Sequence, residues 1–488
     1  MTTTTKTAPA SPEPGGAWSG VDTALWCYLV LPLPIFLLGF FQPALGLPLT
    51  GLALAAAWHF LPREPRSTGP GPAPWADYAL LALLAAGWAA LGGAGHLFHA
   101  NGIDWVPRFA VLRDLVVETW PPRYGSGPDA AMLRAPLAYY LPAALAAHAT
   151  TLAAADILLL VWTWLGVALF FCASFQGGLA RALAAALVFA FASGLDVIGT
   201  LLLQGSLPLP MQHIEWWAGG QQYSSNSTLL FWVPNHGLPG WICAAWLWRF
   251  RDDDRFRARL PMLLLPVMLW SPLVALGLLP LALATFCSHR HQPANSRRGL
   301  PASATLAAFP GALIAAYLLL GLFGGDPGPN AMTPTAPILQ ESPLPLARLL
   351  FIILEAGVFC VFLLKRERTP LAWTTAAVLL LLPWVQFGPN NDLAMRASIP
   401  ALTILWLAIA DDLTAPPGDR RLPRGWRTAL FALFALGAIT PLQEIHRALG
   451  GNSWQADTRI SAPQALGGYP PHYFVSTRQN LLAGVMRQ

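Results

Sequence analysis

Apolar runs of about 17–25 residues recur along the chain, with the charges gathered into the stretches between them. A helix needs a run of that length to cross the hydrocarbon layer of a bilayer. Only 11% of the 488 residues are charged, about half of what a soluble chain carries. The pattern predicts an all-α, polytopic transmembrane helical protein. Candidate spans are Leu25–Phe41, Ala44–Leu61, Tyr78–Ala94, Ala153–Phe175, Ala182–Leu203, a segment ending at Phe250, Ala302–Phe323, Leu346–Leu364, Pro370–Gln386, Ser398–Ala410 and Leu430–Thr440. Leu260–Cys287 is broken by Trp270-Ser271-Pro272 and reads as a hairpin of two short helices. That gives roughly eleven spans, with short re-entrant or surface helices beside them.

The division is a disordered cytoplasmic tail over 1–20, a transmembrane domain over 21–440 with a large outer loop at 95–135, and an extracytoplasmic tail over 441–488. Basic loops at 63–66, 181, 249–259, 288–298, 365–368 and 420–427 orient the chain with those loops and the N-terminus in the cytoplasm. This parity requires that Pro136–Thr150, which contains Pro142, does not cross completely. Unusual polar residues then emerge on the opposite, outer face: Asp104, His213 and Glu215, Asp326 and Glu341, Asn390 to Arg396, and Glu444, His446 and Arg447. The spans are nearly free of ionisable groups, apart from Asp156, Asp196 and Glu355. Net charge is +5, but no basic domain stands apart from the spans, so nucleic acid is not an expected partner. The five cysteines lie in apolar segments without metal-ligand spacing and read as packing residues.

The densest charge lies between Gly95 and Tyr140, with His96, His99, Asp104, Arg108, Arg113, Asp114, Glu118, Arg123, Asp129 and Arg134. If Asp104 opens a helix, Arg108 falls one turn up the same face. Pro107 then lies in the first turn, where its missing N–H costs nothing. Trp105, Phe109, Leu112 and Val116 recur at helical spacing. A surface helix with Asp104 aimed at a polar cavity would offer a general base, with Arg108 and Arg113 as cations for an anionic substrate and Asp114 as a further contact. The plainer alternative is a solvated interfacial helix with ordinary intrahelical pairs.

Two later stretches join it as candidate substrate contacts. His213 to His236 carries Glu215, Gln221, Gln222, Tyr223, Asn226 and Asn235 among Trp216, Trp217 and Trp232. Aromatic faces with amide edges suit sugar rings, and an interfacial aromatic belt is the alternative. Asn391, Asp392 and Arg396 open a span, where arginine can grip a phosphate in a fork or simply snorkel to the headgroups. His213 and Glu215 lack zinc-helix spacing, so no cofactor is expected and a divalent metal is not indicated.

Asp104…Arg113-Asp114-Leu115…Trp120-Pro121, Tyr139-Tyr140-Leu141-Pro142, Ser225 to Val233 and Asn391 to Pro400 resemble GT-C-type membrane glycosyltransferases, closest to bacterial multi-span members. That resemblance implies a bacterial cytoplasmic-membrane enzyme. It would move a sugar from a polyprenyl-phosphate donor to a lipid or glycan acceptor on the extracytoplasmic face. Asp104 would be its base and Arg396 its phosphate contact. A transporter or flippase of a lipid-linked or amphipathic substrate is the alternative from another class, and a non-catalytic scaffold is a third.

Overall fold

Proline and hydroxyl residues punctuate the helices of this chain. Pro32, Pro43, Pro234, Pro272 and Pro370 stand in first turns, where the absent N–H has no partner to lose. Side chains of Ser19, Thr151, Ser225, Ser271 and Thr369 accept from backbone N–H groups of the turns they open. The computed structural model describes residues 18–62, 74–99, 102–127, 130–288, 299–320, 345–387, 391–451, 457–476 and 479–487. Arg63, Arg66, Asp129, Asp326, Glu341, Asn390 and most of the 288–298 loop lie outside the described residues.

Among the described residues, six helices are long and apolar enough to cross a membrane: Gly20–Phe40, Pro43–Phe60, Leu152–Ser174, Pro345–Arg366, Asp392–Thr414 and Arg424–Gly450. Shorter apolar helices accompany them, Leu260–Trp270 and Pro272–Cys287 included. The chain is an α-helical, multi-pass membrane protein. Helix Leu141–His148 rises only about 12 Å, well short of a bilayer.

Three expectations need correction. The expected span Ala182–Leu203 is two helices, Leu179–Ala190 and Asp196–Gln204, with Gly194 in the break pressed against Glu355. The expected boundary at 440/441 falls inside a continuing helix, Ile439–Gly450. The all-α reading also gains a small antiparallel sheet, β1 (Arg123–Tyr124), β2 (Ala131–Leu133) and β3 (Phe474–Ser476). It stitches the end of the chain to the charged loop, with Met132 opposite Val475.

Tryptophan fills the interior as well as the edges. Trp241, Trp246, Trp270 and Trp406 are fully buried, and Trp270 donates to the Leu29 carbonyl at 3.0 Å. Two interior helices, Pro234–Arg249 and Ile399–Thr414, run side by side in the same direction. Gly240 near the start of one is packed on Ile399 of the other. At their far ends Arg366 lies 5.7 Å over the Trp248 ring and pairs with Asp411. Each helix has 16 residues, so the two ends of the bundle stand about 24 Å apart. One is the basic end: Arg249 binds the buried Asp22 at 2.6 Å, and Arg251 and Arg421 flank Glu367 at 3.3 and 3.1 Å. The other holds Asn235, His236 and Arg396.

Candidate functional site

The helix Gly102–Val117 is fixed at its first turn by Trp105. Its indole donates to the Phe231 carbonyl at 2.7 Å, and its ring covers Gly93, where any side chain would collide with it. Asp104 is thereby held half-buried, with Oδ1 3.6 Å from Arg108 Nη2. Arg108 is buried and donates from Nη1 to Asn235 Oδ1 at 2.7 Å and to the Tyr140 hydroxyl at 3.2 Å. The Asn235 amide nitrogen lies 3.3 Å from His236 Nε2, and His236 Nδ1 shares a hydrogen bond of 2.7 Å with the Ser271 hydroxyl. Five side chains far apart in sequence thus form one file, with Ser271 at its end capping the second arm of the expected hairpin.

Arg396 enters from the other side. It pairs with Asp392 at 3.0 Å, one turn before it, and its helix is packed so that Ala397 lies against Gly277. His236 lies within electrostatic reach of both Arg108 and Arg396. The end of the chain closes the gap. Tyr473 acts on Arg108 and Tyr140, and His472 on its other side feels Asp392, Arg396 and Arg134. Arg134 is tied to the same segment, its amide donating to the Tyr473 carbonyl at 2.6 Å and its guanidinium to the Pro471 and Leu318 carbonyls.

Burial and neighbouring charge act differently on each group here. Burial opposes the charge of Arg108, but Tyr140, Asp104 and Tyr473 outweigh it and hold the guanidinium above its ordinary value. Burial pushes the Tyr140 phenol up to about 12, against the pull of Arg108. Burial keeps the His472 imidazole below its usual range, with Asp392 opposing and Arg396 and Arg134 adding to the fall. The Nε atoms of Arg108, Arg134 and Arg396 are all buried without an acceptor among the described residues. Buried donors of this kind normally have a partner. Three arginines with open donors, Arg108 among them joined to Asn235 in the first turn of helix Pro234–Arg249, make an anion-seeking cluster.

Of the sequence candidates, Asp104, Arg108, Asn235, His236, Asp392 and Arg396 gather here. Arg113 and Asp114 face elsewhere. Asp114 is fully buried, and accepts from Arg113 at 2.7 Å, the Tyr124 hydroxyl at 2.6 Å and the Ala462 amide at 2.8 Å. Those bonds clasp the end of the chain. Asn391 caps its helix at φ 50° and its amide donates to Gln221 at 3.2 Å. Gln222 donates to Glu215 at 2.6 Å and accepts from Trp216 at 3.0 Å, Tyr223 donates to the Leu379 carbonyl at 2.8 Å, and Asn226 donates to the Phe189 carbonyl at 2.8 Å. Glu215, Gln222, Tyr223 and Asn226 are buried and engaged internally, the buried Gln221 Nε2 has no acceptor among the described residues, and Trp216 is the half-exposed ring of the stretch. His213 binds Glu444 at 2.8 Å. Among the described residues no three His, Cys, Asp or Glu side chains are grouped to hold a metal ion.

Tyr140, Ser271, His472, Tyr473 and the role of Arg134 were not foreseen from the sequence. Tyr140 stood in a conspicuous Tyr-Tyr-Leu-Pro segment, whereas His472 and Tyr473 lie in a polar tail with no signal linking them to residue 108.

No protein-family model matches the chain, and no curated protein matches it. Among solved structures it is similar to the cryo-EM structure of the arabinofuranosyltransferase AftD from mycobacteria. The likeness has 14% identity and a TM-score of 0.39, and covers 78% of this chain and 27% of that one.

Proposed function

We propose that the chain is a membrane-embedded glycosyltransferase that uses a polyprenyl-phosphate-linked sugar on the extracytoplasmic face. The observation that carries this reading is the set of open donors on Arg108, Arg134 and Arg396, a few side chains from a half-exposed carboxylate. An acid that can take a proton beside a pocket that wants an anion is the pairing such a transfer needs.

Asp104 takes the proton of an acceptor hydroxyl. The hydroxyl oxygen attacks the anomeric carbon of the donor sugar, and the bond from that carbon to the phosphate oxygen breaks. The bonding electrons stay on the departing polyprenyl phosphate, whose charge Arg108 and Arg396 steady. A single displacement inverts the anomeric centre. Asp104→Asn is expected to abolish transfer from a polyprenyl-phosphate sugar in native membranes while expression and folding stay normal. Full activity in that variant would remove Asp104 from the role, and retention at the anomeric centre would exclude the single displacement.

A transporter of a lipid-linked substrate is the second reading, favoured by the buried carboxyls Asp196 and Glu355 on helices of the bundle. Substrate movement across vesicle membranes without change in its glycosidic bond would replace the first reading with this one.

A further inference from the structure

A second polar cluster lies apart from the arginine pocket. Asp196, Glu215, Glu355 and Glu444 are each buried to 3% exposure or less. Glu355 stands in a π-helical turn, Ile352–Gly357, that interrupts the membrane-length helix Pro345–Arg366. Such turns are rare and collect at functional positions. Its Oε1 accepts from the Trp217 indole at 3.0 Å. Its Oε2 has no donor among the described residues, and the polar group it faces is the carboxyl of Asp196. A Cβ on Gly194 would sit 1.8 Å from that oxygen, so glycine is what admits the approach.

The surroundings supply little positive charge. Asp196 accepts from the hydroxyls of Thr440 and Ser193 at 2.8 and 3.0 Å. Glu215 accepts from the Thr228 hydroxyl at 2.5 Å and the Ser225 amide at 2.9 Å. Glu444 takes His213, the Trp232 indole and Arg447 at 2.8, 2.8 and 3.1 Å. Tyr223 and Cys360 are the other titratable neighbours of Glu355's surroundings. Arg447 is the fixed cation here, and it pairs with Glu444. His213 acts on Asp196 and Glu215, and its buried Nε2 has no partner among the described residues.

Two carboxyls buried side by side, one with an oxygen that finds no donor among the described residues, favour a shared proton over two charges, because like charges out of water repel strongly. A divalent metal would ask for six or so oxygen ligands, and no grouping of that kind is present among the described residues. A proton asks for two. We infer that this cluster is a proton-binding site: Asp196 and Glu355 hold one proton between them, and His213 is the base that exchanges it with the loop surface.

Infrared difference spectroscopy of the full chain in lipid nanodiscs reads this directly. At neutral pH the wild type is expected to show the carbonyl band of a protonated carboxylic acid, shifted in deuterium oxide. In a Glu215→Gln background, which removes the other acid lifted toward neutral pH, the double variant Asp196→Asn/Glu355→Gln should lose that band, each single variant should shift its frequency, and His213→Gln should slow its hydrogen–deuterium exchange. Absence of the band in the wild type, or a band that the double variant leaves intact, would overturn the inference. If the double variant is not recovered folded, an unchanged frequency in both single variants would overturn it equally. An exchange rate unaltered by His213→Gln would remove His213 from the path.

Discussion

The two halves of the helix Gly102–Val117 carry the same residue types and put them to opposite uses. In the first half, Arg108 pairs with Asp104 and donates to the neutral Tyr140 and Asn235, and its guanidinium keeps an open donor. In the second half, Arg113 and Asp114 are closed on each other and on residues 458 and 462 of the chain's end. An arginine and an aspartate close together in sequence therefore say nothing about a site until their partners are known. What separates Arg108 from Asp114 here is unfilled hydrogen-bonding capacity, since a buried charge whose partners are all protein has none to give a ligand.

The sharpest way to break that contrast is to compare equivalent changes in the two halves. Asp104→Asn should lower transfer by about 10²–10⁴-fold, the usual worth of a general base, with thermal stability unchanged. Asp114→Ala should do the reverse. Removing one partner of a fully buried pair costs roughly 3–5 kcal/mol, and the folded fraction should still transfer sugar at the wild-type rate. If Asp114→Ala kept its stability and lost transfer, the assignment of the second half to the clasp would fail.

A third test uses pH on an acid that belongs to neither half. Burial lifts the Glu215 carboxyl from 4.5 to about 7, with Asp196 and Glu444 adding to the rise against His213. The folded chain therefore holds that proton more tightly than the unfolded one, and folding loses stability as pH rises from about 4.5 through 7. Glu215→Gln lacks this term. Denaturation curves should show the wild type falling relative to Glu215→Gln across that window, by a few kcal/mol in order of magnitude, and level with it below. A constant difference at every pH would refute the assignment. The smallest effect is expected at Glu118, half-exposed and 3.6 Å from Arg113. Glu118→Gln should change stability by roughly 0.2–1 kcal/mol, shrinking in high salt.

The membrane class was legible in the sequence because apolar length is a one-dimensional quantity. The file from Asp104 to Arg108 was legible as well, since a helix sets i and i+4 on one face. Asn235, His236 and Arg396 stood out only as unusual residues beside apolar runs. What joined them was the parallel packing of two interior helices, seated through Gly240 and Ile399, and no local pattern encodes that. The amide run over 221–226 is ambiguous in sequence for a related reason: amides beside tryptophans suit a sugar and suit a buried hydrogen-bond network equally well.

The pairing of β2 with β3 brings His472 and Tyr473 back to a helix made early in synthesis. A nascent chain would thus carry its carboxylate and most of its arginines into the bilayer with the cleft still gaping. The cleft shuts only once the segment carrying Tyr473 folds home, so synthesis stalled before that segment leaves behind an inserted bundle with nothing closed over its charges.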